Sequence, residues 1–325
     1  QFKRVDAYNL FWKATWNKAW ADAAYFEAAC ISTGWGEYVN ALDEVNRCLI
    51  SNTHNHKARA LKATILRKLG RTDEALAWIK ESYEIDPFNY GCMFEEYLIT
   101  GCDEPLQRLI TLMHDNVHNY HELALDYSSA NLFEEAEQAL TIPAVANKLA
   151  EASPLTSYYI GYFQLRRGLV SESKESFIKA DQTDSHYCFP NRLEDVMILR
   201  IALQSIKQGA RAPYYLGCLY YDKRQYDEAL KNWTLSAERD PEFPTVWRNL
   251  ALIYCNKQNN TEKALECMER AFSLDQSDSR IFMELDQLYK RMQKPHEFRI
   301  AKFESHPELV AKRDDLILEH ATLLN

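Results

Sequence analysis

Apolar and small residues recur every three or four positions along most of the chain, the period of a helix with one buried face. The segment 211–241, RAPYYLGCLYYDKRQYDEALKNWTLSAERDP, shows the pattern twice. Leu216, Gly217 and Tyr220 fall on one face of a first helix. Ala229, Trp233 and Ala237 fall on one face of a second, which ends at Asp240-Pro241. Proline disfavours helical geometry in the residue before it, so this dipeptide stops the second helix. Gly and Ala inside the frame leave room for two helices to approach closely. The spacing predicts a helix–turn–helix unit.

The frame repeats along the chain. Trp247, Leu250, Ala251, Tyr254, Ala264 and Ala271 carry it next, with one residue inserted at the turn. Ala63, Leu66, Gly70, Ala75, Ile79 and Pro87 carry it earlier, as do Leu123, Ala124, Tyr127, Ala136 and Leu140. Gly161, Gly168, Phe177 and Ala180 give another copy. Ala29, Gly36, Ala41 and Val45 give a degenerate first one, and Phe282, Leu285 and Tyr289 begin a last one. Units are placed near 22–55, 56–89, 117–150, 154–187, 210–243, 244–278 and 279–308. Segments 90–116 and 186–209 fit poorly and are expected as short or distorted helix pairs. His54 to His56 and Thr141 to Pro154 read as linkers. A partial helix is expected over 309–325, where Leu316, Leu318 and Leu323 await a continuation to cap them. One continuous solenoid is the expected organisation, each repeat burying its apolar face on its neighbours.

A helix–turn–helix of about 34 residues with a Trp/Leu/Gly/Tyr…Ala…Phe…Ala…Pro pattern resembles the tetratricopeptide repeat. The resemblance implies an all-α fold, a right-handed superhelix (α-solenoid) of antiparallel helix pairs that binds proteins or peptides. Some stretches resemble a narrower family of large microbial proteins, in which a β-rich domain of unknown function precedes a C-terminal array of such repeats. These are HYCFPNRLEDV (186–196), RAPYYLGCLYYDKRQYDEAL (211–230), FPTVWRNLALIY (243–254), ELDQLYKRM (284–292) and HPELVAKRDDL (306–316). KAWADAAYFEAAC (18–30) through THNHKARALKATILRKLGRTDEAL (53–76) fits the same family. That likeness implies an absent N-terminal domain with carbohydrate-active associations. The chain begins at Gln1 and stops at Asn325 in the middle of a helical pattern, which reads as a piece of a longer protein.

Composition narrows the classes. The 325 residues include only 9 Gly and 10 Pro, about half the usual combined share, which argues against a turn-rich all-β fold. The net charge of −9 leaves little global attraction for nucleic acid, and no apolar run is long enough to span a bilayer. Nucleic acid and membrane are therefore not expected as partners. The eight cysteines show no CxxC and read as small buried hydrophobes of a reducing, cytoplasmic compartment. No cofactor is expected.

In the tetratricopeptide frame, positions 2, 5, 9, 12 and 13 of each first helix point into the concave groove. That mapping puts Tyr158 and Tyr162 there, then Arg211, Tyr214 and Tyr221, then Arg248 with Asn249 at its margin, and Arg280, Lys290 and Arg291. Tyrosine offers large contact area at low entropic cost and arginine pairs carboxylates bidentately, which suits peptide capture. The competing reading packs these tyrosines between helices. Chaperone-binding repeats hold two carboxylates in a Lys/Asn/Asn/Lys/Arg clamp; the corresponding residues here are Tyr214, Cys218, Asn249, Arg280 and Glu284. Glu284 would repel a carboxylate, so an acidic chaperone tail is not the expected ligand.

Other constellations have plainer readings. Trp12, Trp16 and Trp20 are spaced by four and predict one aromatic stripe, for docking of the absent domain or for packing on the first repeat. Lys57, Arg59, Lys62, Arg67, Lys68 and Arg71 read as a solvated basic helix face or as a patch for an acidic partner. His114, His118 and His121 would converge on one continuous helix, but Asp115-Asn116 reads as a break between two. Adjacent carboxylates such as Glu134-Glu135 and Asp314-Asp315 diverge by about 100° on a helix and read as helix starts or solvent-facing charge. HExxH, GxSxG, P-loop and dinucleotide patterns are absent from the sequence. The expected function is a non-enzymatic protein or peptide scaffold, its groove filled by a separate ligand or by the parent's own N-terminal domain. The alternative is an accessory helical region of a carbohydrate-active enzyme.

Overall fold

The computed structural model describes residues 2–184 and 187–324, which are all-α. The chain divides into two compact units, Gln1–Ser176 and Phe177–Asn325. The first holds α1 (Phe2–Ala14), α2 (Ala21–Trp35), α3 (Tyr38–Ser51), α4 (His56–Lys68), α5 (Thr72–Ile85), α6 (Tyr90–Thr100), α7 (Asp103–Met113), α8 (Val117–Ser129), α9 (Phe133–Leu140), α10 (Ala146–Ala152) and α11 (Pro154–Arg166). The boundary falls within α12 (Val170–Gln182). The second holds α13 (Leu193–Ser205), α14 (Arg211–Asp222), α15 (Tyr226–Arg239), α16 (Pro244–Asn256), α17 (Thr261–Leu274), α18 (Ser279–Arg291), α19 (His296–Glu304), α20 (Pro307–Val310) and α21 (Asp314–Leu324).

A short turn with one left-handed residue follows the first helix of eight helix pairs. Gly36, Gly70, Gly101 and Gly168 take that conformation after α2, α4, α6 and α11; Asn131, Arg224, Asn259 and Gln293 take it after α8, α14, α16 and α18. Reversing a helix in two or three residues needs one positive φ, so the turn recurs even where no glycine marks it. First helices are started by polar side chains that satisfy otherwise orphaned N–H groups. Asn55, Asn89, Asn116 and Asp278 accept hydrogen bonds from backbone amides of α4, α6, α8 and α18.

Small residues fix how closely the helices pack. A Cβ built on Gly217 in α14 would lie 2.3 Å from Cδ1 of Trp233 in α15, so that indole seats directly on the Gly217 backbone. Trp233 is buried, and its Nε1 donates to the carbonyl of Tyr214. Likewise a Cβ on Gly91 in α6 would come within 2.5 Å of the Ala60 Cβ in α4.

Segment 90–116 holds a pair of short helices of 11 residues each, α6 and α7. Other expectations change. Segment 186–209 holds only α13, with Tyr187 to Arg192 non-helical before it; Ser185 and His186 lie outside the described residues. The tryptophan stripe is broken, because α1 ends at Ala14. Trp12 packs edge-on against Tyr25 and donates to Glu44, whereas Trp16 and Trp20 sit in the following turn, exposed. Two of the three leucines of the last helix are covered within the chain: Leu316 and Leu323 are buried with Phe282, Phe303, Leu309 and Val310, and Leu318 is exposed. Ionic contacts tie the helix further, since Glu319 accepts from Lys290 and Arg299 and Asp286 pairs bidentately with Arg299.

Candidate functional site

Most of the residues predicted for a groove are engaged within the protein. Tyr158 is fully buried and Tyr162 nearly so. Their helix α11 buries nine of its 13 residues, because α9 and α10 pack on it. The Tyr162 hydroxyl accepts from Arg166, and its ring meets Phe133 edge-on. In the second unit Arg211 pairs with Asp240 at 2.9 Å and stacks 3.6 Å above Phe243. Phe243 also packs edge-on against Tyr214, which is buried. Tyr221 is half-buried between Tyr226 and Trp233. Asn249 is buried beside Cys218. Arg248 grips Glu284 with two hydrogen bonds, and Arg280 donates to the same carboxylate.

The structure therefore gathers Arg211 with Tyr214, and Arg248 with Arg280, but each cluster holds a carboxylate of its own, Asp240 in the first and Glu284, shared by both guanidinium groups, in the second. Tyr158, Tyr162, Tyr214 and Asn249 are corrected from groove surface to interior packing. Tyrosine at helical spacing buries its large ring between helices wherever a neighbouring element covers it. Glu284, read as a repulsive intruder, is the acceptor that satisfies two guanidinium groups.

An open groove lies in the first unit, where the predicted residues did not place it. It is a cleft of about 440 Å³ whose walls come from α2, α4, α6 and α8. Phe26, Leu61, Leu123 and Leu132 supply apolar surface; Lys57, Thr64 and Asn119 line it with Asp86, Glu122 and Asp126. The α5–α6 connection is held at its edge by Asn89. Its Oδ1 accepts the amide of Cys92 at 3.1 Å and its Nδ2 donates to the carbonyl of His56 at 2.9 Å. This anchoring leaves Phe88 in the wall with 61% of its surface exposed. The sequence carried a signal for the site. Lys57, Ala60 and Thr64 occupy positions 2, 5 and 9 of the 56–89 repeat, the concave positions, within the run of basic residues.

That basic run is only partly solvated, with Lys57 and Arg71 exposed, and most of its charges are paired within the protein. Lys57 pairs with Asp126 at 2.6 Å. Arg59 is buried, donating to Ser82 and Glu81 and stacking on Trp78 with Lys62 on the same ring. Arg67 grips Glu95 through Nε at 2.7 Å and Nη2 at 3.1 Å, and also donates to Glu135, which pairs with Lys68. Arg71 pairs with Glu74. Glu95 is fully buried and accepts the hydroxyl of Tyr127, a groove residue, at 2.8 Å. Burial opposes the Arg67 charge, but Glu95 and then Glu135 outweigh it and hold the guanidinium above its ordinary value. Burial also opposes the Lys57 charge, and Asp126 outweighs it to hold the ammonium above its usual range. Asp126 itself is pushed up by burial, against the pull of Lys57. Of the two readings of Glu134-Glu135, the helix start holds, since both stand in the first turn of α9; Glu135 does not face solvent but is buried between its two cations.

The three histidines are split as their sequence suggested. His114 is the left-handed residue closing α7, and His118 and His121 lie in α8. Their rings are 6.1 Å apart, and His121 is buried with Nε2 at 2.9 Å from Oγ1 of Thr156. Among the described residues no group of three or more metal-binding side chains is assembled.

The helix–turn–helix pairs, with their small-residue contacts and left-handed turns, have the architecture of the tetratricopeptide repeat class. Residues 56–89 and 214–279 each match a tetratricopeptide repeat model, so the chain contains these repeats. Among solved structures, yeast Tom70 is 13% identical with a TM-score of 0.37, over 99% of this chain and 92% of that one. MamA from Desulfovibrio magneticus RS-1 is 18% identical with a TM-score of 0.34, over 61% and 97%. YrrB, described as a protein of this repeat class with an unusual peptide-binding site, is 14% identical with a TM-score of 0.28, over 74% and 96%.

Proposed function

We propose that the chain is a protein-interaction scaffold that holds a protein segment in the groove lined by α2, α4, α6 and α8. Tetratricopeptide repeats serve as protein-interaction scaffolds. The observation that carries the site is the exposed Phe88 ring beside an apolar floor in a 440 Å³ cleft. Covering a phenylalanine and its neighbours gains about 25 cal/mol per Å² of apolar surface, and the concave shape lets one extended segment touch four helices. The segment comes from another chain or from a part of the parent polypeptide outside these 325 residues.

Photo-crosslinking tests this. A benzophenone side chain is placed at position 88, or as a control at Ile50, which is 84% exposed and does not line the groove. Crosslinking in cells from position 88 to a defined protein segment, and not from position 50, is the expected result. Crosslinking from position 50 alone would move the binding surface elsewhere.

A further inference from the structure

Three cations stand at concave positions 2, 12 and 13 of the 56–89 repeat: Lys57, Arg67 and Lys68. Taken alone they would make an anion-binding surface of the kind that captures acidic peptide tails. Each is satisfied within the protein, Arg67 by Glu95 and Glu135, Lys68 by Glu135, and Lys57 by Asp126. Arg67 and Lys68 are not among the residues that line the cleft, and Lys57 is the one Lys or Arg that does. Against it stand three lining carboxylates, Asp86, Glu122 and Asp126. Side chains of Lys57 and Asp126 are 43% and 39% exposed, so a solvated ligand reaches the pair without unfolding the wall. Ion pairs this exposed contribute only about 0–1 kcal/mol, so a competitor that also buries apolar surface can displace the internal ammonium.

Resting on the groove reading above, we infer that the cleft selects a basic protein segment, in which a Lys or Arg side chain takes the place of Lys57 against Asp126 and Glu122. An apolar side chain close to it in the segment covers Phe88 and the Phe26 floor. The carboxylates at the wall repel an acidic segment, and Lys57, already neutralised, does not compensate. Arginine suits the position best, since its fork can meet one carboxylate bidentately. Lys57 then acts as an internal placeholder for the ligand's own cation.

The probe is an oriented library of twelve-residue peptides with a central Leu and degenerate flanks, passed over the immobilised full chain, with the retained pool sequenced. Enrichment of Lys and Arg near the Leu is expected. One enriched peptide is then titrated by fluorescence anisotropy. Asp126→Asn is expected to weaken it about tenfold, the effect of losing one charge-assisted hydrogen bond, and added salt should weaken it further. Lys57→Met is expected to tighten it severalfold by removing the internal competitor. Circular dichroism on each variant separates these effects from unfolding. Enrichment of Asp and Glu, or weakening by Lys57→Met, would overturn the inference. A retained pool with no charge preference that Phe26→Ala/Phe88→Ala releases also overturns it, while leaving the groove as a binding site. No retained peptide, or retention that Phe26→Ala/Phe88→Ala leaves unchanged, would remove the groove reading itself.

Discussion

Replacing Arg67 by Met should open the wall of the first unit behind the groove. In the native protein Arg67 makes three hydrogen bonds to two carboxylates, Glu95 and Glu135, whose side chains are 0% and 5% exposed. The variant leaves Glu135 with Lys68, whereas Glu95 keeps the Tyr127 hydroxyl but loses the cation that paired it. Breaking a buried pair by removing one partner costs about 3–5 kcal/mol, because the stranded charge has lost both water and partner. A methionine of similar length recovers part of the apolar contact of the arginine stem. About 3 kcal/mol is therefore expected, which is roughly a hundredfold in a local opening equilibrium. Repeat arrays open in segments, so the assay is hydrogen exchange read by mass spectrometry on peptides from α4, α6 and α8. Protection there should fall about a hundredfold, while α16 and α17 in the other unit keep theirs. Adding Glu95→Gln removes the stranded charge and should return at least half of the loss. A fall worth less than about 1 kcal/mol would place the network with exposed ion pairs and refute the reasoning.

Three further outcomes are expected. Gly217→Ala should destabilise the α14–α15 pair by about 1–3 kcal/mol through overpacking against Trp233, reversing the usual gain of alanine over glycine in a helix; an unchanged or raised melting temperature would contradict the close approach. Lys290 and Arg299 hold the Glu319 carboxyl below its ordinary value, so the folded state binds that proton more weakly than the unfolded chain. The stabilisation is complete above the unfolded value of about 4.3 and is lost as pH falls through it toward the folded one. Amides of α21 should lose protection below about pH 4 and not between 6 and 8. Of the eight thiols Cys102 is the one exposed, while burial pushes the Cys92 thiol up to about 12. A disulfide reagent should therefore label Cys102 rapidly in the native protein, partly exposed Cys218 more slowly, and the six buried thiols only on unfolding; rapid labelling at Cys92 would contradict its burial.

Helix pairing was legible because it is a local property. The three-to-four-residue period, the Asp-Pro stops and the Gly or Ala contacts act within about 34 residues, and Gly217 against Trp233 lies inside one such unit. Turns at Asn131, Arg224, Asn259 and Gln293 were less legible, because these residues adopt a positive φ only when the flanking helices demand it. The burial of the predicted tyrosines was illegible for a different reason. Position in the repeat puts Tyr158 in a concave-facing register, but α9 and α10, the latter a short helix outside the repeat pattern, pack on α11, and Tyr158 is buried. The stripe at Trp12, Trp16 and Trp20 failed on the end of α1, where the sequence carries neither a glycine nor a proline to mark it.

By itself, then, the order of small, apolar and turn-forming residues determined that this chain folds into helix pairs of the tetratricopeptide type, because each pair closes on contacts near in sequence. Which charges remain for a ligand was decided only by tertiary structure. Lys57 meets Asp126 across 69 residues, and Arg67 meets Glu135 across 68. Charge is long-ranged and indifferent to sequence distance, so a basic run in the sequence becomes, once folded, a set of mostly paired cations, of which Lys57 alone lines the cleft beside three carboxylates.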